Sequence, residues 1–200
     1  MIIGDAIEGR LAWGDTGKGK MADPADIVKI VEDILQPVQD YKDKRVLVTA
    51  GSTEEPIDGV RVITNHSSGK MGFAIAKALA DRGAEVTLVR GKMSIDAPEC
   101  VYKEVKVNTT EELLNAVKSN MDNDIFIMAA APADYKVKNK SANKIKAESL
   151  TLELVKNPDV AKYVGENKGD KMLVIFSAET ENLIENAKSK LSKKNGDFVV

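Results

Sequence analysis

The chain has 200 residues, with 29 Lys and Arg against 31 Asp and Glu and a formal charge of -2, the two signs interspersed. This length serves one α/β domain, or a domain with an appendage, around a substantial core, and the even charge gives no reason to expect a nucleic acid or an anionic membrane as partner. Cys100 is the only cysteine and His66 the only histidine, which excludes a disulfide within the chain and a cysteine/histidine zinc site, and makes a reducing cytoplasm the simplest home.

The first 43 residues differ from the rest. "GRLAWGDTGKGKMADPADI" opens with glycine-rich loop chemistry, after which Asp23 can cap, and Pro24 can open, a helix predicted to reach about Leu35. Pro37 and the polar "QDYKDK" read as a linker. From Lys44 onward short β-rich runs alternate with amphipathic segments, the pattern of a mostly parallel sheet covered by helices. Strands are predicted over 45–50, 85–90, 102–107, 124–130, 172–178 and 197–200, and helices over 69–82, 110–120 and 181–194. The helix at 110 has a clear start, because Thr109 or Thr110 can cap it while Glu111 and Glu112 sit at the positive end of its dipole. The strand runs have few polar alternations, so both faces of the sheet are expected to be covered. The longest apolar runs, such as "DIFIMAAAPA", are about half of what a membrane span requires, and no charged segment followed by an apolar one opens the chain; the protein is expected to be soluble and not exported.

Four stretches carry candidate chemistry. In "ITNHSSGKMGFAIAKALADRGAEVTLVRG" a glycine turn precedes a helix. A Walker A loop would need glycine where Thr64 stands and Ser or Thr where Met71 stands, so that template fails. The dinucleotide fingerprint retains only Gly69 and Gly72 at usable spacing, and small residues at those places also let a helix pack closely on a sheet. A short-chain NADP-dependent reductase would use Arg90 for a 2′-phosphate, yet neither Tyr135 nor Tyr163 has the Lys four residues on that its catalytic pair requires, Asn139 and Asn167 standing there. The connection "GSTEEPIDGVRVITNHSSG" is long and leaves the carboxyl end of the first strand, where ligands bind in open α/β sheets. Gly51, Ser52, Thr53, Ser67, Ser68 and Gly69 can offer amides and hydroxyls to phosphate oxygens at a helix N-terminus that continues into Lys70 and Met71. The second stretch, "AAAPADYKVKNKSANKIKAE", sets Lys136, Lys138, Lys140, Lys144 and Lys146 behind the fourth strand. A mobile lysine-bearing loop there suits a triphosphate, and Asp134 could hold a ribose hydroxyl or a metal, or cap the turn. The third, "LELVKNPDV", reads as a strand ending in an Asn157-Pro158 turn. In the fourth, "VIFSAET", Phe176 or Ser177 could face the ligand edge.

Together these four stretches, in this order over 44–200, resemble phosphopantothenoylcysteine synthetase, also called phosphopantothenate-cysteine ligase. The resemblance implies a Rossmann-like α/β fold, a mostly parallel sheet with helices on both faces. In prokaryotes this synthetase is commonly the C-terminal half of a bifunctional protein whose N-terminal half is a flavin-dependent decarboxylase. Residues 1–43 look like the end of that decarboxylase and a linker. Where its pattern carries a catalytic cysteine, between Ala12 and Gly14, this chain has Trp13, and its histidine and most of the FMN site would lie upstream of Met1; decarboxylation by this chain alone is not expected. The family pattern also continues past Val200, so a truncated sheet is expected.

The resemblance further implies a two-step ligation in coenzyme A biosynthesis. The carboxylate of 4′-phosphopantothenate attacks the α-phosphorus of CTP, pyrophosphate leaves, and the amine of cysteine then attacks the acyl-cytidylate and releases CMP. Mg²⁺ and Lys144 would stabilise the leaving phosphates. Asn65 would serve the acyl-transfer step: an amide is no general base, but its NH₂ can hold the intermediate and stabilise negative charge on the attacked oxygen. Ala130, Ala131, Asp134 and Phe176 would receive the base, with CTP preferred over ATP. A homodimer with the site near the subunit interface is implied as well. A non-catalytic nucleotide-binding or assembly fragment is the competing expectation from a different class, and the NADP-dependent reductase a more distant one.

Overall fold

A computed structural model describes residues 7–10, 15–35, 38–96, 99–178 and 181–200. Trp13 lies outside the described residues. The chain divides into two compact units, Met1–Asp40 and Tyr41–Val200.

In the first unit, β1 (Ile7–Arg10) pairs antiparallel with β2 (Thr16–Lys20), and a helix, α1 (Pro24–Leu35), follows. Asp23 Oδ1 accepts the Ala25 amide at 2.9 Å, so the Asp-Pro start works as the sequence predicts. None of the residues of α1 is buried, and Val28, Val31, Ile34 and Leu35 stand exposed.

The second unit runs β3 (Arg45–Ala50), β4 (Glu54–Pro56), β5 (Val62–Thr64), α2 (Lys70–Asp81), β6 (Glu85–Arg90), β7 (Lys103–Lys106), α3 (Thr110–Lys118), β8 (Ile125–Met128), β9 (Tyr135–Val137), β10 (Leu154–Lys156), α4 (Val160–Asn167), β11 (Met172–Ile175), α5 (Leu183–Lys193) and β12 (Phe198–Val199). Six of these strands form one sheet in the order β7-β6-β3-β8-β11-β12, and every pairing in it is parallel. Because side chains alternate across a strand, β3 serves two cores at once. Val46, Val48 and Ala50 pack with Ala76 and Leu79 of α2, and Leu47 packs with Leu113 and Val117 of α3, Val160 and Val164 of α4, and Phe126 of β8. Burial on both faces is the reason β3, β6, β8 and β11 read as mainly apolar runs, whereas β7 at the edge is Lys-Glu-Val-Lys.

Three pieces depart from the sequence reading. The long connection after β3 folds into the antiparallel ribbon β4-β5, the lysine-rich stretch begins as β9 paired with β10, and α4 follows the Asn157-Pro158 turn. The helix over 110–120 is there, with Thr109 as its cap: Thr109 Oγ1 accepts the Glu112 amide at 3.2 Å, while Glu112 Oε2 reaches back to the Asn108 amide at 2.7 Å. Among the described residues no helix is long and apolar enough to cross a membrane.

Candidate active site

The sheet order reverses direction between β3 and β8, the first and fourth strands of the sheet in chain order, so the crevice outside their carboxyl ends is the topological switch point where open α/β sheets bind ligands. The chain builds that crevice with small residues. Ser52 and Ala131 bridge β3 to β8 beyond their ends, and the Ala131 amide donates to Gly51 O at 2.8 Å. Gly51 has φ of 76°, a left-handed conformation that favours glycine, at the point where the backbone turns away from the sheet.

A cavity of about 690 Å³ opens at this place, within the size range of small-molecule sites. Its floor is apolar, from Leu113, Met128, Ile175 and Val160, and its wall is the loop from Ala129 to Asp134. Asn65 stands at the rim, its Nδ2 donating to Pro132 O at 2.9 Å. That bond orients the amide from the end of β5 towards the loop that leaves β8. Lys156, Lys190 and Lys194 also line the cavity. Lys194 pairs with Asp159 at 3.0 Å, and Lys190 Nζ lies 3.4 Å from Ser177 Oγ.

Behind the wall a buried polar network holds four segments together. Thr53 Oγ1 accepts the Ala133 amide at 2.8 Å and lies 2.9 Å from Thr110 Oγ1; Glu55 accepts the Thr110 amide at 2.8 Å; and Asn157 Nδ2 donates to Ala133 O at 2.9 Å. Asn157 Oδ1 is the buried side-chain oxygen left without a partner among the described residues. The geometry of the loop over 129–134 is thus set by α3, by the turn after β10 and by the segment from Thr53 to Glu55, not by the loop itself.

The predicted site residues fall into three groups, with Lys144 apart from them. Asn65, Ala130, Ala131, Asp134 and Phe176 share the cavity. Gly51, Ser52 and Thr53 do not line it: they are buried, the Ser52 amide donates to Lys92 O at 3.0 Å, and Thr53 Oγ1 is engaged in the network behind the wall. Ser67, Ser68, Gly69, Lys70 and Met71 lie at the α2 N-terminus, also outside the cavity lining. Ser67 and Ser68 hydroxyls sit 3.4 Å from the Gly69 and Lys70 amides, and no side chain caps the helix. Gly72 is a packing glycine, because a Cβ there would stand 2.6 Å from the Ala50 Cβ. Lys144 is exposed on the loop after β9 and does not line the cavity. Arg90 pairs with Glu104 at 2.7 Å, which engages the side chain a 2′-phosphate would need.

Lys156, Lys190 and Lys194 are cavity residues that the motifs in the sequence do not mark, and Asn157 does more than form the turn predicted there. The spacing of Lys190 and Lys194, four apart on a helix, carried a signal that both face one way. Nor do the motifs mark Asp58. The Asp58 carboxyl is held at about 2 against an ordinary 3.8 by the Arg61 and Ile145 backbone amides, against some burial, with the Val60 amide and the Arg61 charge adding to them. Among the described residues no group of three His, Cys, Asp or Glu side chains could hold a metal ion.

Fold and cavity together define a Rossmann-type α/β protein with a nucleotide-sized ligand crevice at its switch point. The chain belongs to the DNA/pantothenate metabolism flavoprotein C-terminal domain family, whose model matches residues 41–200. It is similar to the coenzyme A biosynthesis bifunctional protein CoaBC of Haemophilus influenzae, 43% identical over 192 residues covering 94% of this chain and 48% of that protein. The CoaBC of Escherichia coli strain K12 is 44% identical over 206 aligned residues, 100% of this chain and 50% of that protein. The chain therefore spans about half the length of the curated relatives it matches. The crystal structure of the C-terminal domain of a CoaBC superposes with a TM-score of 0.73 at 40% identity, covering 81% of this chain and 78% of that one.

Proposed function

We propose that this chain provides the ligase step that joins 4′-phosphopantothenate to cysteine in coenzyme A biosynthesis, through an acyl-cytidylate formed from CTP with release of pyrophosphate and then CMP. One observation carries the reading: Asn65 and the loop over 129–134 meet at one cavity at the sheet's switch point, in a chain of this family. The apolar floor suits a planar base, and Ala130 and Ala131 leave room for it. Asn65, anchored through Nδ2 on Pro132 O, is placed to orient the acyl group and to stabilise charge on its oxygen as cysteine attacks. Lys144 is assigned the leaving phosphates from its loop, and the α2 N-terminus with Ser67 and Ser68 is a second place where a phosphate can be received.

Mg²⁺ would reach this site with the nucleotide. A magnesium ion needs only one or two protein carboxylates beside substrate phosphates and waters, and Asp134, exposed at the cavity, fits that donor set. When bound it would neutralise charge developing on the phosphates.

We further assign residues 1–43 to the end of the flavin-dependent decarboxylase part of a bifunctional protein and the linker that follows it, place the chain in the cytoplasm, and take a homodimer as the working state. The two ribbons leave Val60, Val62, Tyr135 and Leu154 exposed, which supports an apolar contact between copies.

The test is incubation with CTP, Mg²⁺, 4′-phosphopantothenate and cysteine. Pyrophosphate release that requires phosphopantothenate, followed by phosphopantothenoylcysteine and CMP, is the expected result. CTP binding without release would instead favour a non-catalytic fragment, and NADPH binding would favour a reductase.

A further inference from the structure

We infer that Asp58 is a positioning residue, whose carboxylate clamps the lysine-bearing loop after β9 to the ribbon that ends in Asn65 and thereby sets where Lys144 stands. The inference rests on the roles given to Asn65 and Lys144 above.

Asp58 lies in the turn between β4 and β5, and its side chain has no exposed surface. Its two oxygens do different work. Oδ1 accepts the Val60 and Arg61 amides, each at 2.8 Å, and so shapes the turn. Oδ2 accepts Arg61 Nη1 at 2.7 Å and the Ile145 amide at 3.1 Å, reaching a segment 87 residues away. Arg61 completes the link, with Nη1 and Nη2 each 3.3 Å from Ile145 O. Nearby, the Ser141 amide donates to Ile57 O at 3.0 Å, and the backbone at Gly59 passes so close that a Cβ there would lie 3.0 Å from Ala142 O.

These attachments bracket Lys144 within the short span 141–145. The strand that leaves the clamp, Val62–Thr64, runs straight into Asn65. One ribbon therefore carries one assigned functional residue and fixes the loop that carries the other. The geometry requires a carboxylate rather than any polar group: four donors converge on it, and charge-assisted bonds are the stronger kind. An asparagine can keep an oxygen on the turn, but it would present an NH₂ to Arg61 and to the Ile145 amide, so Asp58→Asn breaks the long-range half selectively.

Trypsin digestion and pyrophosphate release test this together. In Asp58→Asn, cleavage after Lys138, Lys140, Lys144 and Lys146 should speed up, and kcat for pyrophosphate release should fall about 100-fold, as expected for a misplaced catalytic group, with KM for CTP little changed. Adding Asp58→Asn to Lys144→Gln should slow release little further, since both changes remove one function. A full, independent loss in the double variant would overturn the positioning role. Arg61→Lys, which keeps the ion pair but loses the fork on Ile145 O, is the milder second variant and should speed cleavage less. Unchanged cleavage in both variants would overturn the clamp. Failure of the wild-type chain to release pyrophosphate would instead overturn the ligase reading, and the cleavage pattern would then judge the clamp alone.

Discussion

At the scale of single residues, Asn65 and Asp58 show how one polar side chain can be placed by bonds that its neighbours in sequence do not make. Asn65 is tied to Pro132 O, 67 residues on. Replacing its amide by a carboxylate, Asn65→Asp, removes that donor and sets a negative charge where the proposed acyl transfer needs stabilisation of an oxyanion. The expected outcome is pyrophosphate release close to wild type with accumulation of the acyl-cytidylate, read by chromatography of quenched reactions. Wild-type product yield would remove Asn65 from the mechanism. The family resemblance makes Asn65 legible in the sequence alone. Asp58 is not legible there, because its long-range partner is Ile145 and nothing local in "EEPIDGVR" announces a bond to a loop so far along the chain.

At the scale of elements, legibility follows burial and length. The inner strands of the main sheet, β3, β6, β8 and β11, are readable because both faces are covered and the runs are mainly apolar. Of the ribbon strands only β10 is, as the run before the Asn157-Pro158 turn. β4 is Glu-Glu-Pro and β9 is Tyr-Lys-Val, three residues each, and their pairing depends on partners that alternation alone cannot name. α4, with eight residues, is hidden behind the Asn-Pro turn, although Asp159 caps it by accepting the Lys162 amide at 3.0 Å. α3 is readable from its cap, and that cap has a testable worth. Thr109→Ala should lower stability by about 1 kcal/mol, measured as a shift of the urea midpoint at constant slope. A larger loss is expected of Thr110→Val, because the Thr110 hydroxyl belongs to the network behind the cavity and its removal leaves buried groups unpaired. Equal effects would show that the network contributes no more than the cap.

At the scale of the whole molecule, two carboxylates make folding sensitive to acid. Asp58 is held at about 2 against 3.8. Asp197 is also lowered: burial pushes it up, but the Leu173 amide and Lys168 outweigh that. A carboxylate whose folded value lies below its unfolded value contributes stability above the unfolded value and loses it as pH falls through the folded one. Stability should therefore decline as pH falls from 3.8 to about 2 through Asp58. Urea midpoints measured down that range should fall less steeply in Asp58→Asn than in wild type, and identical slopes would show that Asp58 has no such linkage.

The strand order has one more consequence, and it concerns time. β3 leaves the ribosome before every other strand of the main sheet, yet it ends in the middle of that sheet, between β6 and β8. While β6 and β7 can join one side soon after they emerge, the other hydrogen-bonding edge of β3 stays open until β8 has been made. A nascent chain halted after α3 would present that edge, with Val46 and Val48 beside it, to any strand within reach. The same central strand that sets the position of the cavity is thus the one whose open edge waits longest for its partner.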